Sequence, residues 1–448
     1  MSAAIAQPAL PPLSWLGIAR LGLVQSSLGA VVMLASSLLN RIMVVEYATA
    51  AALPAGLVAF HYAVQLSRPK WGHGSDQGWR RTPWIIGGMA VLGLGGVLAS
   101  VATTMMDGPL APALALAVLA YALIGTGVGA SGTSLLALLA SRTAEARRPA
   151  AASLTWIMMI LGIVISATTV GNLIDPFTPA RLIEISAGLA LIALLLTSLA
   201  VWRVEGASPA PEERPSTVGF GAALRGIWSD QLTRLFSIFV FVSMLAYSMQ
   251  DLILEPFAGL VFGMTPGELT KLSGLQHGGV LIGMIVVGVG GHAFGGRMGL
   301  RLKKWIVGGC IASALALAGL AMAARIGPAW PLVPTVVLLG FANGVFAVAA
   351  IGSMLELAGR GGANGEFKGH EGIRMGLWGA AQAVAFGLGG FFGASVVDWG
   401  RALIGADGAA FELVFAFEGL LFLIAAAIAV QLNDRQAAGA AQSRGVLA

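Results

Sequence analysis

Long apolar segments alternate with short polar ones along the whole chain. Each apolar segment has about 18 residues or more, which is the length at which a helix crosses a bilayer. The first six predicted helices lie near residues 16–45, 51–68, 83–104, 112–140, 151–174 and 182–202. A second six lie near residues 233–260, 270–292, 304–325, 331–357, 374–397 and 411–432. The pattern predicts an all-α integral membrane protein with 12 transmembrane helices.

The segment between the two sets has a different character. Residues 203–230, RVEGASPAPEERPSTVGFGAALRGIWSD, are rich in Pro, Ser and charged side chains. This composition predicts a cytoplasmic linker that carries a short interfacial helix. The predicted organisation is an N-terminal cytoplasmic tail, a six-helix bundle, the linker, a second six-helix bundle and a C-terminal cytoplasmic tail, over residues 1–15, 16–202, 203–230, 231–432 and 433–448.

Composition and charge agree with a membrane protein. The chain is 57% hydrophobic and 10% charged, with a mean hydropathy of +0.84, values that exclude an ordinary soluble domain. Its single cysteine, Cys310, cannot form an intrachain disulfide. The basic residues lie in short clusters between apolar segments, a pattern of cytoplasmic loops that argues against a nucleic-acid partner. On the predicted topology 21 of the 26 Lys and Arg residues lie on the side of both termini, which we therefore expect to be cytoplasmic.

The two halves resemble each other in sequence. LNRIMVVEYA in the first helix aligns with SMQDLILEPFA in the seventh, which pairs Glu46 with Glu255. GHGSDQGWRR after the second helix aligns with GHAFGGRMGLR after the eighth. A six-helix unit repeated in parallel and joined by a long cytoplasmic linker is the organisation of the major facilitator superfamily. We expect that fold, with two pseudo-symmetric six-helix bundles.

The loop after the second helix also resembles a signature of that superfamily. In GHGSDQGWRR, Gly72 is expected to allow a tight turn at the helix end, and Asp76 to accept hydrogen bonds from neighbouring helix termini or from Arg. Arg80 and Arg81 supply cytoplasmic charge. The second copy carries Gly295 where the acid would be, so the usual latch of such transporters is not expected in both halves.

Four stretches carry a closer resemblance. LNRIMVVE, HYAVQLSRPKWGHGSD, RRTPWIIGGMA and MQDLILEPFAG resemble the bacteriochlorophyll delivery family, the PucC and LhaA type proteins of purple photosynthetic bacteria. The resemblance implies a protein of the cytoplasmic or intracytoplasmic photosynthetic membrane that helps to assemble light-harvesting complexes. It further implies bacteriochlorophyll or a late precursor as cargo, with no covalently bound cofactor. The implied partners are antenna polypeptides, chlorophyll synthase, the insertion machinery and the lipid membrane.

Intramembrane histidines are candidates for binding such a pigment. A neutral imidazole can ligate magnesium through one ring nitrogen while a neighbour holds the other. His61 is one candidate, with Gln65 four residues later to orient it or to ligate instead; a plain hydrogen bond inside the bundle is the alternative. His277, with Gln276 beside it, has the same chemistry. No dedicated metal site is predicted from the spacing of Cys, His, Asp and Glu.

Two acids in the seventh helix need a separate explanation. Asp251 and Glu255 are four residues apart and share one helix face near the predicted periplasmic end. With Arg41 and Glu46 of the first helix they could form an intramembrane charge cluster across the pseudo-dyad. The alternatives are an interfacial pair beside Pro256, which would break the helix, and a role in proton coupling.

These features predict an assembly factor rather than an enzyme. The sequence contains no Ser-His-Asp set and no nucleotide motif; GTGVGASGTS in the fourth helix lacks the strand and the Lys-Ser/Thr of a phosphate loop. The alternatives are a proton-coupled transporter of a small solute and a scaffold that docks synthase and antenna helices without pigment.

Overall fold

The structure is a computed structural model. It describes residues 12–47, 49, 52–77, 80–174, 177–206, 220–264, 266–293, 302–360, 370–404 and 407–445, and for some helical positions the backbone alone. The described residues contain helices and no strand. This confirms the predicted all-α class.

The described residues form fifteen α-helices in succession. The first eight are α1 (Trp15–Met33), α2 (Leu39–Val45), α3 (Ala52–Val64), α4 (Arg68–Gln77), α5 (Thr82–Thr104), α6 (Leu110–Arg142), α7 (Arg148–Leu173) and α8 (Pro179–Val201). The other seven are α9 (Phe220–Ser229), α10 (Gln231–Phe262), α11 (Pro266–Ala293), α12 (Leu302–Ile326), α13 (Leu332–Arg360), α14 (Glu371–Ile404) and α15 (Asp407–Gly445).

All twelve predicted spans fall on these helices. Within the described part of the chain, nine helical stretches are long and apolar enough to cross a membrane. The other three predicted spans correspond to α3 with α4, to α11, whose apolar part is Gly274–Val289, and to α14. A short helix, α9, lies in the predicted linker.

Two of the predicted helices are interrupted by tighter or wider turns. A π-helical segment, Leu34–Leu38, joins α1 to α2, and a 3-10 turn, Gln65–Ser67, joins α3 to α4. A π turn disturbs the regular ladder of backbone hydrogen bonds. Beside it, the buried Tyr121 hydroxyl of α6 donates to the carbonyl of Ala35 over 2.8 Å. A hydrogen bond from α6 therefore stabilises the π-helical segment between α1 and α2.

The predicted helix break at Pro256 is wrong. Helix α10 continues through this proline to Phe262 and ends at Gly263, whose φ of 66° is the left-handed conformation that glycine adopts readily. Proline removes one backbone donor, but neighbouring groups in a membrane bundle tolerate that loss.

The chain divides into two compact units. Unit 1 comprises residues 1–227 and 355–380, and unit 2 comprises residues 228–354 and 381–448. In unit 1, α5 packs on α6 and α8, and α1 packs on α7. In unit 2, α15 packs on α10 and α12. One boundary, after residue 227, lies within residues 203–230, and the end of α13 and the start of α14 belong to unit 1.

Glycines set the closest helix contacts in both units. A Cβ on Gly88 would lie 2.5 Å from the backbone nitrogen of Ser131, between α5 and α6. A Cβ on Gly309 would lie 2.7 Å from the backbone nitrogen of Phe346, between α12 and α13. Small residues allow membrane helices to approach this closely.

Candidate functional site

A chain of polar side chains runs through the second transmembrane helix. His61 and Gln65 are 3% and 2% exposed. The His61 Nδ1 lies 2.9 Å from the Val58 carbonyl oxygen, so this nitrogen carries the proton and donates. The Nε2 atom then accepts from the Gln65 amide nitrogen over 2.9 Å. The Gln65 amide oxygen accepts in turn from the Arg68 guanidinium.

Both ring nitrogens of His61 are therefore engaged within its own helix. In this arrangement neither nitrogen is available to a magnesium ion. Of the two roles predicted for Gln65, orienting His61 or ligating magnesium itself, this geometry corresponds to the first. The geometry agrees with the plain hydrogen-bonded role of His61.

Neighbouring helices come very close to this polar chain. A Cβ on Gly125 of α6 would lie 2.6 Å from the His61 carbonyl oxygen. On α14, a Cβ on Gly376 would overlap the Arg68 carbonyl, and one on Gly379 would overlap its guanidinium. Glycine at these positions lets α6 approach the His61 backbone and α14 approach Arg68.

The residues of the predicted loop signature meet the start of α14. Asp76 accepts from the Gly372 backbone nitrogen at 2.8 Å and from the Ile373 nitrogen at 2.9 Å. The carboxylate therefore caps the helix N-terminus, where the macrodipole favours negative charge. Arg81 donates to Asp76 at 2.9 Å and to Glu371 at 2.8 Å. Burial alone would lower the pKa of Arg81, but the carboxylates of Glu371 and Asp76 outweigh it and raise that pKa.

The predicted role of Gly72 in a tight turn is wrong. Gly72 lies inside α4, which continues through Asp76 to Gln77. A Cβ there would overlap the Gly372 carbonyl, so this glycine serves the close contact of α4 with α14. The His73 Nε2 and the Gln77 amide nitrogen, 2.9 Å apart, form an i,i+4 pair that supports the helix over this stretch.

A second acid, Glu205, caps the start of α5. Glu205, just beyond α8, accepts from the Arg81 backbone nitrogen at 2.9 Å and from the Thr82 nitrogen at 2.8 Å. Around it, Trp202–Gly206, here called the strap, is held by arginines through its carbonyls: Arg20 donates to Trp202, Arg142 to Val204 and Arg80 to Gly206. The strap thus fastens the start of the linker to unit 1.

The linker helix α9 also packs on this region. Its Ala223 and Ile227 are buried against Ile373 of α14. The Phe220 ring lies 5.6 Å from the His73 ring. Burial, with a smaller contribution from His370, lowers the pKa of His73.

The other two pigment candidates lie in unit 2. Gln276 is buried on α11, and a Cβ on Gly340 of α13 would overlap its carbonyl. His277 is exposed, near the middle of the same helix. A Cβ added at Gly274 or Gly278 on the same helix would meet nothing within 4 Å.

The predicted intramembrane charge cluster lies outside what the structure describes. Arg41, Asp251 and Glu255 are described by their helical backbone alone, and Glu46 is an exposed residue at the end of α2. The cluster stays a prediction.

Sequence reasoning missed two acids of the cytoplasmic-loop region. Glu371 and Glu205 lie far from the signature in sequence, by 290 and 124 residues from Arg81. A signal was present for Glu371 alone, because an acid in the first turn of a helix marks an N-terminus.

Comparison with protein families gives one match over most of the chain. The family described as PUCC protein matches residues 38–437. A protein named bacteriochlorophyll synthase 44.5 kDa chain from Rhodobacter capsulatus is 52% identical over 419 residues, which cover 93% of this chain and 95% of that one. A protein named PucC from the same organism is 30% identical over 441 residues, covering 93% and 92%.

Solved structures show the same fold at low sequence identity. A bacterial homologue of the iron transporter ferroportin in an outward-facing state aligns with a TM-score of 0.73 at 14% identity, over 93% of this chain and 99% of that one. A proton:xylose symporter of the major facilitator superfamily aligns with a TM-score of 0.67 at 14% identity, over 92% and 93%. The fold is therefore that of the major facilitator superfamily.

Proposed function

The chain belongs to the PucC protein family, and we propose that it is an assembly factor for photosynthetic light-harvesting complexes. Family membership carries this proposal, supported by the 52% identical relative named for bacteriochlorophyll synthesis. The partners we propose are antenna polypeptides, chlorophyll synthase and the insertion machinery. The location is a bacterial photosynthetic membrane, with both termini cytoplasmic.

The test of the assembly role is complementation. A strain lacking this protein should form less antenna per cell, measured as near-infrared absorbance of intact membranes against total extracted pigment. Restoring the gene should restore antenna absorbance. Normal antenna in the deletion strain would refute the assembly role.

We propose bacteriochlorophyll or a late precursor as cargo, with His277 as the magnesium ligand. His277 is exposed on an apolar helix, and a Cβ at the nearby Gly274 or Gly278 would meet nothing within 4 Å. Small neighbouring residues leave room for a flat macrocycle to approach a helix. Both ring nitrogens of His61 are engaged within its own helix.

Two matched variants separate the candidates. His277→Leu should lower the bacteriochlorophyll that co-purifies with the protein in mild detergent, whereas His61→Leu should leave it unchanged. Leucine has a similar volume and lacks the ligating nitrogen. Equal pigment in His277→Leu and the wild type would refute this ligand assignment.

The chain itself is proposed not to be the catalyst of pigment esterification. The major facilitator fold supports binding and movement of cargo, and the sequence contains no recognised catalytic motif. Purified protein supplied with the free-acid pigment and an isoprenoid diphosphate should form no ester. Ester formation that scales with protein concentration would contradict this part of the proposal.

A further inference from the structure

A groove between α12 and α13 of unit 2 has the features of a lipid site. It has a volume of about 320 Å³ and is lined by residues that include Lys304, Trp305, Gly308 and Phe341. This volume is at the small end of the roughly 300–1,000 Å³ of typical ligand pockets. The groove therefore suits a single hydrocarbon chain better than a macrocycle.

Polar groups occur at one end of the groove. Lys304 is exposed in the first turn of α12. The neighbouring Trp305 has a buried indole Nε1–H with no acceptor among the described residues. A buried donor without an acceptor costs about 1–3 kcal/mol, so a ligand oxygen at this point would be favourable.

The deeper part of the groove is apolar and open. Gly308 and Ala312 follow Lys304 at intervals of one helical turn, about 6 and 12 Å further along α12 at a rise of 1.5 Å per residue. A Cβ on Gly308 would meet nothing within 4 Å, so the space above it is unfilled by described residues. Phe341 and Val345 of α13 line the opposite side.

We propose that this groove binds an anionic phospholipid. Its phosphate pairs with Lys304, an oxygen of its headgroup or ester accepts from the Trp305 indole, and one acyl chain lies over Gly308. The positive charge at headgroup depth and the apolar groove beneath it are complementary to such a lipid. This inference is independent of the pigment proposal.

Native mass spectrometry of the full chain tests the site. The detergent-purified protein is titrated with dioleoyl phosphatidylglycerol or with the zwitterionic dioleoyl phosphatidylcholine. The wild type should bind one phosphatidylglycerol more tightly than phosphatidylcholine. Lys304→Ala should weaken that binding by about fivefold, the effect expected of one basic residue at a membrane surface. The exposed Lys70→Ala is the matched control and should change nothing.

Two further variants address the indole and the groove. Trp305→Phe removes the donor and should weaken phosphatidylglycerol binding roughly two- to tenfold. Gly308→Leu fills the open space and should abolish the tight site, while circular dichroism reports that the helices remain. Glycerol phosphate without acyl chains should not compete; competition would assign the site to a free phosphate instead.

Equal affinity for the two lipids in the wild type would overturn the proposal. Unchanged phosphatidylglycerol binding in both Lys304→Ala and Trp305→Phe would do the same, whether or not the leucine variant folds.

Discussion

The second helix of unit 1 and its repeat counterpart in unit 2 make the same backbone contact with different side chains. Counted from the aligned Gly-His pairs at 72 and 291, His61, Gln65 and Arg68 correspond to Val280, Met284 and Val287. Those three apolar residues are buried, at 4%, 2% and 0% exposure. The three equivalent positions thus carry polar side chains in unit 1 and apolar side chains in unit 2.

One close backbone contact is equivalent in the two units. Gly125 lies against the His61 carbonyl, and Gly344 lies against the Val280 carbonyl. Gly344 lies 219 positions after Gly125, and Val280 lies 219 positions after His61. The aligned Gly-His pairs at 72 and 291 have the same offset. Close packing of these helices therefore needs the glycine and does not need the polar side chains. We infer that the His61–Gln65–Arg68 chain serves function rather than folding.

The loop signature gives the largest expected difference between the halves. Replacing Asp76 by the glycine of the second copy leaves Arg81 and the N-terminus of α14 without their buried carboxylate. Asp76→Gly should lower the free energy of unfolding by about 3–5 kcal/mol, the usual cost of breaking a buried ion pair. Thermal loss of helical circular dichroism in detergent measures it.

An exposed ion pair in unit 2 is the control for this variant. Arg325 and Glu412 are 3.3 Å apart with 67% and 33% of their side chains exposed. Glu412→Gln should change stability by about 0–1 kcal/mol. A similar loss from both variants would mean that burial of Asp76 does not matter.

The shared glycine contact should be costly to disturb in either unit. Gly125→Ala and Gly344→Ala each place a methyl group against a backbone carbonyl, and overpacking of this kind costs about 1–3 kcal/mol. Gly132→Ala on α6 is the control, because its Cβ would meet only a Leu28 methyl at 3.7 Å. Unfolding curves of the three variants compare them directly, and a harmless Gly344→Ala would break the structural equivalence.

Variants of His61, Gln65 and Arg68 test whether these polar residues serve function or folding. Gln65→Met alone leaves the His61 Nε2 and the Arg68 guanidinium without the hydrogen bonds that they make to Gln65, and a buried unsatisfied group costs about 1–3 kcal/mol. The triple variant His61→Val, Gln65→Met, Arg68→Val copies unit 2 and should recover part of that loss. Antenna absorbance in a complemented strain should nevertheless fall. Full antenna with the triple variant would return these residues to a packing role.

The smallest expected effect is a dependence of stability on pH. Because the folded pKa of His73 is lowered, the folded state binds fewer protons than the unfolded state between the two pKa values. The contribution of His73 to stability is therefore present above its unfolded pKa of about 6.5 and is lost as the pH falls below it. His73→Gln should flatten the change in melting temperature between pH 8 and 5.5, and an unchanged slope would exclude His73 as its source.

Much of the fold was predictable because a membrane-spanning helix has a recognisable sequence pattern. A bilayer-spanning apolar segment is long, and all twelve predicted spans fall on observed helices. Helix ends were harder, because α4 carries polar residues such as His73 and Asp76 that resemble a loop while its contacts with α14 hold it helical. No local pattern shows that a second helix lies there.

The candidate site was predictable only in part for the same reason. Asp76 was predicted to accept from helix termini or Arg, which is what the geometry shows, but Glu205 and Glu371 come from distant segments. The pairing of Gln65 with His61 followed from i,i+4 spacing, whereas the close approach of Gly125 to His61 and of Gly379 to Arg68 depends on how helices pack. Sequence spacing predicts contacts within a helix and leaves contacts between helices undetermined.

The described residues at both ends of the long linker contact unit 1. Trp202–Gly206 is fastened to unit 1 at one end, and α9 packs on Ile373 of the same unit at the other. The described residues on the two sides of positions 207–219 therefore contact the same unit. A protease site inserted there should give a nicked chain whose two fragments still co-purify, so this segment is a place to split or tag the protein without parting its halves.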